Sequence, residues 1–357
     1  DTDRSRGLGD VYKRQVLKWE NTAMKEKQKT LSFNAQRLQR VLLSPEVSIT
    51  IPLIALCIYT GIQNPAFFAL KNIQIILRYC AFVGALAIGQ SFVLMTGEID
   101  LSIGTNSTFT SIVFAYCAVH FGWPPLLCVL AALLAGAAVG FLNGYLSFSY
   151  GLSSWISTLA TQYVCIGLAT VISTGKAVGT LDTRYSTFAS ARPLGLTWMF
   201  WIVFAIYVLA AVYSYFTVNG RKILAVGISP EASRIAGTNV RCVKWGCMVF
   251  AGVMAGVCGI LQTINTQSGS PTTGLGNEFP SIICCAIGGI SVSGGKGGML
   301  GVLFGVVMFQ TMKNCLQSLR LDNNVQLVVT GSILLLAVAF DIIKGRAQRR
   351  NCLLYTS

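Results

Sequence analysis

A single histidine, His120, stands in 357 residues, acidic side chains number only 13, and no C-x-x-C, G-x-S-x-G or H-E-x-x-H string occurs. Nucleophilic and metal-assisted catalysis have almost nothing to work with, so an enzyme falls behind the other readings. The cysteines, scattered through apolar runs, read as small hydrophobes rather than disulfides or metal ligands. Charge of either sign is scarce too: charged residues make up 11% of the chain, hydrophobic ones 53%, and mean hydropathy is +0.62. That balance excludes an ordinary soluble domain and indicates an integral membrane chain.

Both ends are set aside before any fold argument. Asp10 to Gln15 back-translates as GAT GTG TAT AAG AGA CAG and Cys352 to Ser357 as TGT CTC TTA TAC ACA TCT, which are reverse complements apart from a terminal base. Residues 1–15 and 352–357 are therefore expected to be cloning or sequencing scars, with Met24 the expected start and 16–44 a cytoplasmic N-terminal arm. No cleavable signal peptide is evident, and the first apolar run is expected to stay as an anchor. Removing four basic and three acidic residues with the scars moves the net charge only from +14 to +13. In a membrane chain this basic excess reads as positive-inside bias and attraction to anionic lipid, not as nucleic-acid binding.

Apolar stretches able to cross about 30 Å of hydrocarbon, or nearly so, recur ten times: 45–62, 75–96, 102–120, 124–146, 152–173, 197–217, 243–264, 279–295, 298–318 and 324–343. The third and eighth are the weakest, being rich in Gly, Ser and Thr. With an even number of spans, the arm carrying Lys25, Lys27, Lys29, Arg37 and Arg40, the loop carrying Arg221, Lys222, Arg234, Arg241 and Lys244, and the tail carrying Lys344, Arg346, Arg349 and Arg350 share one side. By the positive-inside rule that side is the cytoplasm. The segment 174–196 then lies outside, with Lys176, Arg184 and Arg192 a modest counter-signal.

Part of the chain repeats. Gly97-Glu98-Ile99-Asp100-Leu101-Ser102-Ile103-Gly104 aligns without gaps to Gly288-Gly289-Ile290-Ser291-Val292-Ser293-Gly294-Gly295, sharing G-x-I-x-[Leu/Val]-S-x-G. An echo follows each copy: Gly136 and Gly140 before Asn143, then Gly301 and Gly305 before Asn314. Two halves of about five spans each would enter the membrane from opposite sides, so the sequence predicts inverted repeats with broken, Gly-rich helices lining a path near the midplane. The second copy superficially resembles a phosphate-binding loop. Ile290 and Gly297 stand where a Walker loop needs Gly and Ser or Thr, so ATP binding by this chain is not expected.

The loop 218–242 carries a helix signature. Ser229 suits an N-cap, Pro230 the first turn, and Glu231 the positive end of the helix dipole; the helix is expected to end at Gly237. It is either a helical loop on the membrane surface or a docking helix for a cytoplasmic partner.

Three stretches then carry a resemblance: "TGEIDLSIG" at 96–104, "GRKILAVGISPEASRIAGTNV" at 220–240 and "GNEFPSIICCAIGGISVSGGKGGMLGVLFGVV" at 276–307. Over roughly 45–345 the chain resembles the inner-membrane permease subunits of ATP-binding-cassette importers for ribose and other simple sugars. The resemblance implies an all-α transmembrane permease domain over 45–345, in the bacterial inner membrane with its N-terminus cytoplasmic. It implies no cofactor, and as partners a cytoplasmic ATP-binding-cassette ATPase, a second permease subunit and a periplasmic sugar-binding protein. By the same analogy Glu231, Ala232, Ser233 and Gly237 couple to the ATPase, while Asp100, Ser102, Gly104, Gly288, Gly289, Ser293 and Gly295 line or shape the substrate pathway. A permease for branched-chain amino acids or nucleosides, or an ion-coupled secondary transporter, are the alternatives. The chain departs from the family pattern at Glu98, where Gly is common, and at Phe279-Pro280, where Leu-Asp is commoner.

The two acids of the first motif read differently. Asp100 is expected to cap the third span through the amide of Ser102 or Ile103, and Glu98 to lie at the interface; neither has a basic mate within the motif, and Arg78 is the nearest candidate by location only. Re-amplifying the locus from source DNA is expected to replace both terminal strings with unrelated codons; recovery of the same codons inside a longer frame would make them native.

Overall fold

The computed structural model describes residues 45–179, 181–336 and 339. The scar strings, the basic arm and the tail from Lys344 onward lie outside the described residues. The chain divides after Ile51, ahead of which only the start of helix α1 (Pro45–Gln63) is described. The unit from Pro52 onward is helical almost throughout. A 3-10 turn (Pro65–Phe68) leads to α2 (Leu70–Met95), α3 (Ile103–Val119), α4 (Pro125–Ser149) and α5 (Ser154–Ser173). A short strand β1 (Val178–Gly179) precedes α6 (Thr183–Ser190), a second 3-10 turn (Pro193–Gly195), α7 (Trp198–Phe216), α8 (Val218–Ile228) and α9 (Pro230–Ile235). Then come α10 (Val240–Thr266), strand β2 (Ser268–Gly269), α11 (Glu278–Ile287), α12 (Met299–Ser318) and α13 (Asn323–Leu336).

Every apolar run read from the sequence contains a helix. Six of them, α2, α4, α5, α7, α10 and α12, are long and apolar enough to cross a membrane. Helix α3, at 17 residues, α11, at 10, and the apolar stretches Thr50–Gln63 and Asn323–Leu336 are shorter.

The largest departure concerns 279–295, expected as one span. Helix α11 stops at Ile287, and the chain turns through Gly289, Gly294 and Gly295 at φ of +80°, +85° and +72°. Ahead of α11, residues 271–277 form turns, after β2 has paired antiparallel with β1. Such backbone survives among apolar helices only where protein satisfies it. The Gly274 amide, for example, donates to Thr108 Oγ1 of α3 at 2.9 Å.

Helix α2 is the centre. All its residues from Cys80 to Met95 are buried, as an all-round apolar helix requires. Helix α10 packs along α4, α2 and α3, and its closest approach is through glycine: a methyl group on Gly136 or Gly140 of α4 would run into the carbonyls of Gly252 and Met248. In the same way Gly301 and Gly305 of α12 seat against Gly288 and Cys284. The two glycine echoes are thus helix-packing surfaces, the arrangement that brings helices close in membranes.

Polar α3 is buried without exposing its hydroxyls' needs to lipid. Thr105, Ser107 and Thr110 donate to carbonyls of Ser102, Gly104 and Asn106 at 3.0, 2.6 and 3.0 Å, and Ser111 pairs with Thr263 of α10 at 2.6 Å. Small side chains that bond within their own helix can be packed as tightly as alanine.

The two copies of the motif lie against each other: a methyl group on Gly294 would stand 2.7 Å from the Gly97 Cα. Each copy is the turn between an arriving helix (α2, α11) and a departing one (α3, α12).

Filling the α4–α10 contact tests the glycine packing. Gly252→Leu is expected to destabilise the protein by about 1–3 kcal/mol, seen as a lower unfolding temperature in detergent. Gly167→Leu on α5, where nothing lies within 4 Å of the added carbon, should change it little.

Candidate functional site

Three separate stretches of backbone meet where the first motif begins. Met95 ends α2, and its carbonyl accepts the Gly295 amide at 3.0 Å. Gly227 of α8 is wedged against the same pair: any Cβ there would overlap the Met95 carbonyl and the Gly295 amide. Gly97, at φ +79°, completes the junction. Backbones approach this closely only where side chains are missing.

From this junction the chain rises into a polar network. Asp100 Oδ1 accepts from the Ser102 amide at 2.8 Å and from Ser102 Oγ at 2.6 Å, so the carboxylate holds the amide at the start of α3 that the sequence pointed to. Ser102 Oγ accepts in turn from Asn143 Nδ2 of α4 at 2.8 Å, and Asn143 Oδ1 accepts from Thr161 Oγ1 of α5 at 2.6 Å. The Leu101 amide donates to Thr158 Oγ1 of α5. One short run of residues thereby fastens α3, α4 and α5, and Asp100, Ser102, Asn143, Thr158 and Thr161 are all buried.

Glu98 has two partners that the sequence reading missed. Lys244 Nζ, in the first turns of α10, lies 2.5 Å from Glu98 Oε1, and Ser154 Oγ donates to Oε2 at 2.5 Å. Arg78 is not the partner; its guanidinium lies over the Tyr79 ring. Lys244 was visible in sequence as a cation at the edge of an apolar run, but nothing local linked it to a residue 146 positions away.

Gly104 meets another acid. A Cβ at this position would strike Glu278, which opens α11 and is almost fully buried. Gln162 Nε2 lies 3.5 Å from Glu278 Oε1, the backbone amides of Glu278 and Gly276 also face the carboxylate, and among the described residues no side chain bonds Oε2. A buried carboxylate oxygen left open is a place for a proton, a water or a ligand hydroxyl.

The remaining pathway residues are divided. Gly288 is buried against Gly301, Gly295 is half-buried at the junction, and Gly289 and Ser293 are exposed. Asp100 and Ser102 face protein instead of an opening, so they shape the turn rather than line a cavity.

The segment 218–242 forms as its composition suggests. Ser229 Oγ caps α9 by accepting from the Ala232 amide at 3.2 Å, and Gly237, at φ +81°, follows the helix end. Glu231 and Arg234 pair at 2.7 Å but both are exposed, and such a pair adds little stability. Ser233 faces inward, whereas Ala232 is exposed and Ile228 and Ile235 are 73% and 80% exposed. Ile228, which ends α8, and Ile235, which ends α9, leave apolar surface on either side of Glu231.

Residues 72–338 match the family described as "Branched-chain amino acid transport system / permease component". The chain belongs to this permease family. It is 34% identical over 286 residues to the L-arabinose ABC transporter permease protein AraH of Azospirillum brasilense, covering 80% of this chain and 84% of that protein. Against the ribose import permease protein RbsC of Escherichia coli (strain K12) it is 31% identical over 295 residues, covering 82% and 92%. Against RbsC of Bacillus subtilis (strain 168) the figures are 34% over 291 residues, 81% and 90%. The permease is accordingly a transport component and not an enzyme.

The Glu98–Lys244 pair of the permease can be tested by removing one partner and then both. Lys244→Met is expected to cost about 1.5–3 kcal/mol by leaving a half-buried carboxylate unpaired, and Glu98→Gln combined with it should recover most of that loss. Equal unfolding temperatures for the single and double variants would remove the pairing.

Proposed function

We propose that this permease is the membrane-spanning subunit of an ATP-binding-cassette importer that passes a monosaccharide, ribose-like or another simple sugar, across the bacterial inner membrane. The observation that carries this reading is the run of relatives named as ribose and arabinose permeases, each aligned over about four-fifths of the chain. ATP is hydrolysed by a separate cytoplasmic subunit, a second permease subunit completes the pathway, and a periplasmic sugar-binding protein delivers the solute.

In this reading 45–345 crosses the membrane ten times. Helices α1 to α5, α7 and α10 to α13 supply the crossings, with residues 267–277 and α11 together making the eighth. The arm 16–44 and the loop 218–242 are then cytoplasmic. Glu231, Ala232, Ser233 and Gly237 form the ATPase-coupling segment, a role supported by the exposed Ile228 and Ile235 beside them. Asp100, Ser102, Gly104, Gly288, Gly289, Ser293 and Gly295 shape the two turns, and Glu278 with Gln162 offers hydroxyl-binding groups above them. Cycling follows if ATP and loaded binding protein favour different conformations, since a ligand shifts an equilibrium only by its difference in affinity.

The family description favours a second reading, a permease for branched-chain amino acids. Proteoliposomes holding the permease with the ATPase and binding protein encoded beside it should take up labelled ribose or arabinose on ATP addition. Uptake of leucine instead would select the second reading, and accumulation driven by a proton gradient without any ATPase would overturn both. Glu231→Lys is expected to lower ATPase co-purification and uptake at least tenfold while membrane insertion persists; unchanged co-purification would remove the coupling role.

A further inference from the structure

A groove of about 720 Å³ opens between α2, α7, α8 and α10, within the size range of small-molecule sites. None of the pathway residues lines it. Its floor is apolar: Phe92, Ile206, Leu209 and Phe250 contribute, with the Phe92 and Phe250 rings edge-to-face at 5.0 Å. Ile206, Leu209, Ala210 and Tyr213 follow the i, i+3, i+4, i+7 spacing of one face of α7, and Leu209 is 69% exposed.

The other end of the groove is polar and basic. Asn219, Lys222, Thr238 and Asn239 line it, and no acidic residue does. Among the described residues Lys222 forms no ion pair. Asn239 caps the 27-residue α10 by accepting from the Cys242 amide at 3.1 Å, and Arg241 stands in the exposed first turn of that helix. A lysine and the positive end of a long helix thus meet at one rim.

We propose that this groove holds one anionic phospholipid of the cytoplasmic leaflet, with its phosphate at Lys222 and Asn239 and an acyl chain along Phe92, Leu209 and Phe250. The charge pattern selects this occupant. A free anion would leave the apolar floor against water, and a zwitterionic lipid would bring a second cation beside Lys222 along with its phosphate. A second copy of the chain meeting this face symmetrically would present the same lysine and no acid. Basic pockets between helices on the cytoplasmic side are where anionic headgroups bind. The lipid would bridge the end of α7, the start of α8 and the start of α10, bracing both ends of the segment 218–242. This assignment rests on the cytoplasmic placement of that segment proposed above. Its test reads lipid retention by the permease alone, so it does not depend on which solute is carried.

The full-length permease is placed in nanodiscs of equal parts phosphatidylcholine and phosphatidylglycerol, transferred to mild detergent and weighed intact by mass spectrometry. One phosphatidylglycerol per chain is expected to persist in preference to phosphatidylcholine. Lys222→Glu should lower its retention about fivefold or more, Lys222→Arg should keep it, and Leu209→Trp should lower it by filling the floor. Equal retention of the two lipids overturns the proposal, as does unchanged phosphatidylglycerol in both Lys222→Glu and Leu209→Trp. So does efficient cross-linking of a photoreactive residue at position 209 to a second permease copy.

Discussion

The hydrogen bond from the Gly295 amide to the Met95 carbonyl is the contact on which the rest of the arrangement depends. A helix end buried in an apolar bundle carries carbonyls that neither its own turns nor lipid can satisfy. Here the orphan of α2 is met by the turn after α11. The contact brings the two G-x-I-x-[Leu/Val]-S-x-G stretches face to face and leaves a slot that only a residue without a side chain, Gly227, can enter. Because α8 enters there, the cytoplasmic segment in the proposed topology leans directly on both turns.

The same demand explains where polarity is allowed inside the bundle. Asp100 is tolerated because the Ser102 amide and hydroxyl meet one of its oxygens and because Asn143 and Thr161 extend the chain of donors. Glu98 is tolerated because Lys244 and Ser154 take one oxygen each. Glu278 is held less fully by side chains: Gln162 reaches one oxygen at the limit of a hydrogen bond, and among the described residues no side chain bonds the other. Asp100 and Glu98 are therefore fixtures of the α3–α4–α5 and α10 contacts, and Glu278 is the acid that side chains hold least.

Much of this was legible in the sequence because it is written locally. Apolar runs, the Ser229 cap with Pro230 behind it, and the Asp100–Ser102 bond are matters of a few neighbouring residues. What could not be read was set by close approach across long stretches of chain. A break at the glycines of 279–295 was expected, but not its place after Ile287, since Ile, Cys and Gly suit a helix and a turn alike; Gly97 and Gly227 packing against Gly294 and Gly295 shows why the chain turns there. The repeat was legible as two similar strings, but not the contact between them: similarity reports a similar local turn and cannot show that Gly97 lies against Gly294.

A junction made of backbone alone has a mechanical consequence. Where helices meet through long side chains, a shift of one can be absorbed by rotamer changes in the other. Gly97, Gly227, Gly294 and Gly295 have no rotamers to offer, so a displacement of α8 must move the end of α2, the turn after α11, or both. The turn after α11 leads back through ten helical residues to Glu278, and the end of α2 leads through Asp100 to Gly104, which touches the same glutamate. Both routes from the 218–242 segment converge on the buried carboxylate of Glu278. Short and duplicated, they join that segment to this carboxylate through backbone contacts, so in the proposed function a motion of the segment would reach Glu278 without a side chain to relay it.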